Sequence, residues 1–262
     1  MTQPSIALFL PARNEALNLP FVVGEAAAYL RERGGLYQII IVNDGSTDNT
    51  DEVARDLISA FPEGTIKLVA HARNMGYGAA LRTGLNAGLE TGFDWICLCD
   101  GDGQFKVSEM GDLIDTATAK NADVAIGFRQ GRAKTDGLKR YLMGRGWHFV
   151  SRLVLGYHAI DTDCGFKAFS RPALEVIYPQ LVGNYATISP EILTRIHRQG
   201  FEIEEVPVTH LARRFGEQSG AEFGVVWGSF KGLLSIWAQV HFPHAVQVFF
   251  RALETSTRKV SS

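Results

Sequence analysis

Five short apolar, β-prone runs, at residues 6–10, 38–42, 66–70, 95–99 and 124–127, each break into a polar or glycine-rich turn and then a stretch of helical character. Repeated strand-turn-helix units predict a mostly parallel central sheet flanked by helices, an α/β fold, because a parallel neighbour is reached through a crossover and helices cover both faces. Such sheets bind ligands beyond the carboxyl ends of their strands. The polar segments sit there. Pro11-Ala12-Arg13-Asn14-Glu15 follows the first run, Asn43-Asp44-Gly45-Ser46-Thr47-Asp48 the second, Arg73-Asn74-Met75-Gly76-Tyr77-Gly78 the third and Asp100-Gly101-Asp102-Gly103-Gln104 the fourth. Past residue 128 a second set of elements is predicted: a strand over 165–170, a helix over 190–199 and a strand over 201–208.

The fourth segment carries the strongest chemistry. An apolar strand, Trp95-Ile96-Cys97-Leu98-Cys99, runs into two carboxylates one residue apart. Alternation along an extended chain end puts Asp100 and Asp102 on one side, where a hard divalent ion can take their oxygens and still bind a diphosphate. With Gln104 the donors are all oxygen, which suits Mg²⁺ or Mn²⁺ and not zinc. The bland alternative is an acidic turn. Asp44 at the end of the second strand can accept hydrogen bonds from a base or ribose, with Ser46 or Thr47 capping the next helix; alone, it reads equally as a plain strand-turn-helix. Arg73 and the run from Gly76 to Ala80 lie where a helix N-terminus can approach a phosphate, with little side chain at Gly78. A dinucleotide fingerprint is excluded, since Leu81 stands where a third glycine is required and the run follows the third strand.

Charge and cysteine usage narrow the context. Among 262 residues, 26 basic and 28 acidic side chains leave a net charge of −2, so nothing calls for nucleic acid. Locally, residues 129–152 hold seven cations (Arg129, Arg132, Lys134, Lys139, Arg140, Arg145, Arg152) against Asp136 alone, which suits an anionic partner or a solvated loop. Cys97, Cys99 and Cys164 form no Cys-x-x-Cys pair, and the first two read as small strand hydrophobes. Together with an N-terminus lacking a basic start and apolar core, this predicts a cytoplasmic protein.

From Glu222 the chain reads as a helical tail, with Val226, Phe230, Leu233, Trp237 and Val240 on one face. The charge-free run from Gly232 to Phe250 contains Pro243, two histidines and two glutamines, so a spanning helix is not expected. The tail instead packs on the domain, self-associates into a homo-oligomer, or lies peripherally in the inner face of the cytoplasmic membrane.

From Ile6 to about Ser219 the chain resembles the GT-A fold family 2 glycosyltransferases, in their polyprenol-phosphate branch. Pro11-Ala12-Arg13-Asn14-Glu15 is similar to the family's Pro-x-Tyr-Asn-Glu, Asn43-Asp44-Gly45-Ser46 to Asp-Asp-Gly-Ser, and Asp100-Gly101-Asp102-Gly103-Gln104 to the metal-binding Asp-Ala-Asp-Leu-Gln. Phe105-Lys106 replaces the usual His-Pro. Gly127-Phe128-Arg129 resembles Gly-Ser-Arg. Asp161-Thr162-Asp163-Cys164-Gly165-Phe166-Lys167 resembles Asp-x-x-Ser-Gly-Phe-Arg, and Glu205-Val206-Pro207-Val208 with Arg213 and Gly216 resembles the closing Glu-Val-Pro-Ile…Arg-x-x-Gly.

The resemblance implies a Rossmann-like GT-A domain over residues 1–220, with a nucleotide-sugar half (1–128) and an acceptor half (129–220), followed by a C-terminal amphipathic helical tail (221–262). It implies an inverting glycosyltransferase that takes a UDP- or GDP-linked sugar. Pro11, Arg13, Glu15, Asp44, Arg73, Gly78, Asp100 and Asp102 would bind the donor, Asp100, Asp102 and Gln104 the Mg²⁺ or Mn²⁺, and Asp102, Arg129, Asp161 and Arg213 would form the catalytic set. If the acceptor is a lipid phosphate, Arg129, Arg213 and the cations between Lys134 and Arg145 would hold it, because a phosphate needs no strong base. If it is a saccharide hydroxyl, a base is required, with Asp161, Asp163 and Glu191 as candidates. A sugar-1-phosphate nucleotidyltransferase would need a glycine-rich phosphate loop after the first strand, and residues 11–15 contain no glycine. A non-catalytic binding module remains the other rival.

Overall fold

A computed structural model of the chain describes residues 3–130, 159–183, 187–216, Leu233 and 236–238. Its strands are β1 (Ile6–Ala12), β2 (Tyr37–Asn43), β3 (Ile66–Ala70), β4 (Trp95–Cys99), β5 (Val124–Gln130), β6 (Phe166–Ser170) and β7 (Ile203–Thr209). They form one sheet in the order β3-β2-β1-β4-β6-β5-β7. Every neighbouring pair is parallel except those of β6, which runs antiparallel to both β4 and β5. The helices are α1 (Leu19–Arg33), α2 (Thr50–Ala60), α3 (Tyr77–Leu89), α4 (Met110–Lys120), α5 (Arg171–Ile177) and α6 (Ile188–Arg198).

The two-residue alternation of the strands divides the core. On one face Leu8, Leu10, Ile39, Ile41, Cys97 and Ala125 pack under α1 and α4; on the other Phe9, Ile40, Val42, Ile96, Leu98 and Ile126 pack under α3, α5 and α6. The strands buried on both faces are the near-continuous apolar runs seen in the sequence. Strand β5 runs three residues past its expected end, because Phe128, Arg129 and Gln130 continue the ladder with Pro207, Val208 and Thr209 of β7. Sequence patterning did not anticipate α5, a two-turn helix that opens on Arg171-Pro172, where a proline at the start costs no hydrogen bond.

Gly84 and Gly88 let α3 approach the sheet closely. A methyl group on Gly84 would overlap the Phe9 ring, and one on Gly88 would meet Ile96. Helix α3 therefore cannot settle at this depth with any larger residue at those positions.

The tail departs from the expected stripe. Leu233 and Ile236 are buried while Trp237 is 38% exposed, so the inward face passes through i and i+3 and is rotated away from Trp237. The rest of the tail, and the basic run beyond Arg129 with Arg132, Lys134, Lys139, Arg140, Arg145 and Arg152, lie outside the described residues. Among the described residues no helix is long and apolar enough to cross a membrane.

Overpacking of a rigid core typically costs about 1–3 kcal/mol. Gly84→Ala is expected to destabilise the protein by about that amount in chemical denaturation, whereas Gly24→Ala, where an added methyl meets nothing within 4 Å, should cost far less. Equal midpoints for the two variants would show that α3 does not depend on close approach.

Candidate active site

The polar segments do converge at the carboxyl ends of β1, β2, β3 and β4. The first two are laced together. Asn14, in a left-handed conformation (φ 57°), accepts the Thr47 N–H at 2.8 Å on its side-chain oxygen and donates its own N–H to Ser46 Oγ at 3.0 Å. Ser46 and Thr47 do not cap the following helix as expected. Ser46 instead donates to Asn43 Oδ1 at 2.6 Å, and Asp48 receives the Thr50 N–H at 3.0 Å where α2 begins.

Asp44 is buried and already engaged. Its Oδ1 accepts the Met75 N–H at 2.8 Å and pairs with His71 Nδ1 at 2.7 Å, while its Oδ2 accepts the Gly76 N–H at 2.9 Å. His71 Nε2 lies 2.9 Å from Thr83 Oγ1. A carboxylate oxygen accepts, so the ring donates from Nδ1 to Asp44. Gly45 (φ 59°) lets β2's turn lie on the backbone of Arg73 and Asn74, where any side chain would collide. Asp44 therefore moulds the 73–76 loop in front of α3. Arg13 and Arg73 are exposed at the rim, and Gly78 is buried in α3's first turn.

The metal-site candidates hold the centre. Asp100 Oδ1 accepts the Tyr77 hydroxyl at 3.0 Å, and Asp102 Oδ1 accepts the Gln104 N–H at 3.0 Å. Gly101 donates to the Pro11 carbonyl at 3.2 Å, which is how Pro11 takes part. Gly165 presses flat on the Asp100 carboxylate, so that a β-carbon there would overlap it, while the Gly165 carbonyl accepts the Asp100 N–H at 3.0 Å. Gln104 is buried and donates its side-chain N–H to the Leu211 carbonyl at 3.1 Å, leaving its amide oxygen as the atom that can face an ion. Phe105 stacks on Phe166 at 5.3 Å, so this departure from the usual His-Pro fills the core beneath the turn.

Burial, and then the negative charge of Asp102, push the Asp100 carboxyl above the usual range. Two neighbouring carboxylates that resist joint ionisation are a fit receptor for a divalent cation. Among the described residues there is no cluster of three or more His, Cys, Asp or Glu side chains that could hold a metal, so an ion at Asp100 and Asp102 would need the Gln104 amide and ligand oxygens to complete its shell. Behind them lies Lys167, 1% exposed, its ammonium donating to the Cys164 carbonyl and 3.5 Å from Ser189 Oγ. Burial lowers its pKa, and Asp163, Asp100 and Asp161 partly restore it.

On the acceptor side, Arg129 and Asp161 form a buried fork at 2.6 and 2.8 Å, with the Arg129 N–H also on Asp161 at 3.2 Å. Burial alone would weaken the guanidinium's hold on its proton; the Asp161 bonds and charge outweigh it, so the arginine's pKa is raised. Arg213 is turned the other way. Its guanidinium pairs with Glu15 and its Nε donates to the Phe215 carbonyl at 2.8 Å, placing it over the nucleotide half and apart from the Arg129–Asp161 fork. Glu15, whose pKa is raised chiefly by burial, also accepts from Asn18 at 2.6 Å. Glu191, a base candidate, is fully buried and holds Arg195 at 2.8 Å and the Val182 and Gly183 N–H groups, which makes it a structural anchor. All three cysteines are free, buried and pushed up by burial, Cys164 to about 12.

His71, Tyr77 and Lys167 are the members whose contacts the sequence did not announce. His71 sits directly after β3, at the level of Asp44, and that position was the available signal.

The sequence pattern of glycosyl transferase family 2 matches residues 7–178. The chain belongs to this family. Among similar proteins, a dolichyl-phosphate beta-glucosyltransferase of Trichomonas vaginalis is 33% identical over 213 residues, covering 76% of this chain and 61% of that protein. A polyprenol monophosphomannose synthase of Mycolicibacterium smegmatis is 31% identical over 219 residues, covering 82% and 80%. The chain thus spans less than two thirds of the Trichomonas relative. Glucosyl-3-phosphoglycerate synthase of Mycobacterium tuberculosis has the same fold at 19% identity: its UDP complex superposes with a TM-score of 0.63 over 90% of this chain and 80% of that one, its Mn²⁺ and UDP-glucose complex with 0.61 over 90% and 79%. The glycosyl transferase family 2 domain here is therefore a GT-A fold.

Gly165→Ala should displace Asp100 and weaken Mn²⁺-dependent UDP binding by at least about tenfold in calorimetry, as losses of residues that orient metal ligands do; retained affinity would show that the glycine is dispensable. With the Asp100 carboxyl raised to about 7, a cation held there would compete with a proton below that pH, so metal affinity is expected to fall as the medium is acidified. Mn²⁺ is expected to raise the melting temperature more at about pH 8 than at about pH 6. Equal shifts would mean that Asp100 is already ionised throughout.

Proposed function

We propose that this family 2 domain transfers a sugar from a nucleoside diphosphate to a polyprenyl phosphate, with inversion, in the presence of Mg²⁺ or Mn²⁺. The observation that carries the acceptor assignment is the Arg129–Asp161 fork. Both oxygens of the best-placed carboxylate are occupied by a guanidinium, and Glu191 is likewise held by Arg195. Asp163 is not free either. A hydroxyl acceptor requires a carboxylate at liberty to take its proton. A phosphate monoester requires none: its second pKa is about 6, so it arrives as an anion.

In this reading one phosphate oxygen attacks the anomeric carbon as the bond from that carbon to the nucleoside diphosphate oxygen breaks, and the bonding pair leaves with the diphosphate. Asp100, Asp102 and the Gln104 amide oxygen would hold the divalent ion, which when bound neutralises charge on the departing diphosphate. Asp44 and His71 keep the 73–76 loop shaped for the donor, with Arg73 at its edge. Arg129, oriented by Asp161, would face the acceptor phosphate, and Arg213, held by Glu15, would sit beside the donor phosphates. The relatives named for dolichyl-phosphate and polyprenol-phosphate activity support the same acceptor class.

The test is transfer of labelled glucose or mannose from UDP- or GDP-sugars to polyprenyl phosphate with Mn²⁺. The expected product is a sugar-phospholipid diester, and Asp102→Ala should lower its formation by about 100-fold or more, as loss of one strong electrostatic stabiliser does. No labelled lipid with any acceptor length, or an undiminished Asp102→Ala enzyme, would overturn the assignment.

A further inference from the structure

The Asp44 carboxylate is nearly saturated before any nucleotide arrives. An ionised carboxylate offers about four acceptor positions, two on each oxygen. Among the described residues three donors take them: the Met75 N–H at 2.8 Å and His71 Nδ1 at 2.7 Å, both on Oδ1, and the Gly76 N–H at 2.9 Å on Oδ2. Oδ1 is therefore filled. Oδ2 keeps one position open, and its hold on Gly76 is shared, since that N–H also lies 3.0 Å from Asn74 Oδ1. Two of the three donors are backbone groups of the loop. The third, His71, is a side chain, and its ring is held at both ends: Nε2 lies 2.9 Å from Thr83 Oγ1 in the middle of α3, a contact that a hydroxyl can make as donor or as acceptor.

The sheet order shows which part of a donor reaches Asp44. Its strands run β3-β2-β1-β4. The end of β2 therefore lies two strand spacings, about 10 Å, from the end of β4 where Asp100 and Asp102 stand. A nucleoside diphosphate with its phosphates at those acids passes its ribose over β1 and brings its base to β2. This placement rests on the donor site proposed above.

One open acceptor beside a saturated oxygen discriminates between bases. Uracil presents a single imide N–H flanked by carbonyl oxygens, so it needs one acceptor, and a second bare carboxylate oxygen would repel its carbonyl. Guanine presents N1–H and the N2 amino group side by side and needs both oxygens. With Oδ1 filled, an amino hydrogen of guanine would be desolvated with no partner. From these contacts we infer that His71 is a specificity-determining residue that acts through Asp44: by occupying Oδ1 it selects a uridine-linked sugar over a guanosine-linked one.

Calorimetry with Mn²⁺ and free nucleotides tests this without any acceptor present. UDP should bind the wild type at least about tenfold more tightly than GDP, the scale of one buried donor left unpaired. IDP, which is GDP without the amino group, should bind more tightly than GDP. N3-methyl-UDP, which lacks the imide donor, should bind at least about tenfold more weakly than UDP. His71→Leu should bring the ratio of UDP to GDP affinity towards one, whereas His71→Asn, which keeps an N–H donor near the place of Nδ1, should retain most of the preference. GDP binding as tightly as UDP, or more tightly than IDP, overturns the inference, as does an undiminished affinity for N3-methyl-UDP. Equal losses of UDP and GDP in His71→Leu also overturn it and reduce His71 to a support of the 73–76 loop. The wild-type series and His71→Asn decide the matter even where His71→Leu does not fold. A protein that shows the uridine preference yet glycosylates no lipid phosphate keeps this inference and loses the acceptor assignment.

Discussion

The placement of Asp100 depends on a contact that no side chain makes. Strand β6 enters the sheet antiparallel between β4 and β5, and its approach brings Gly165 flush against the Asp100 carboxylate while the two backbones exchange a hydrogen bond at 3.0 Å. Tyr77 closes the other side and the Pro11 carbonyl ties down Gly101. A carboxylate boxed in this way loses water and gains a like-charged neighbour, Asp102. That penalty would be offset by a cation bound between the two acids, which would give the fold a reason to store them at the end of a buried strand.

The surrounding charges follow the same logic. Three of the buried carboxylates have an arginine partner, Asp161 with Arg129, Glu191 with Arg195 and Glu15 with Arg213, while Asp44 has His71. Such pairs add little net stability, since desolvation offsets most of their attraction. What they fix is direction. Arg129 is held by Asp161 and Arg213 by Glu15, and the carboxylates that were candidates for a base are engaged. A site arranged so is suited to positioning two phosphate-bearing substrates and poorly suited to removing a proton from a hydroxyl.

Much of this was legible in the sequence. The apolar runs gave β3 and β4 to the residue, since a strand buried on both faces is continuous in sequence and ends where polarity begins. The turns at Asp44 and Asp100 were visible for the same reason. Partnerships were not. Arg213 and Glu15 are 198 residues apart, and nothing local to either distinguishes a rim arginine aimed at an acceptor from one paired across the cleft. His71 passed unnoticed because its role comes from Asp44 on the next strand. Ser46 followed the habit of serines near helix starts, yet Asn14 and Asn43 compete for its hydroxyl and win.

The central claim is that Asp100 and Asp102 jointly grip one divalent ion against a nucleoside diphosphate. Anomalous diffraction from crystals grown with Mn²⁺ and UDP or GDP measures this directly. A single manganese peak within coordination distance of both carboxylates and the diphosphate is the predicted result. A manganese bound elsewhere, or a nucleotide seated without one while Tyr77 and Lys167 hold the acids, would contradict it.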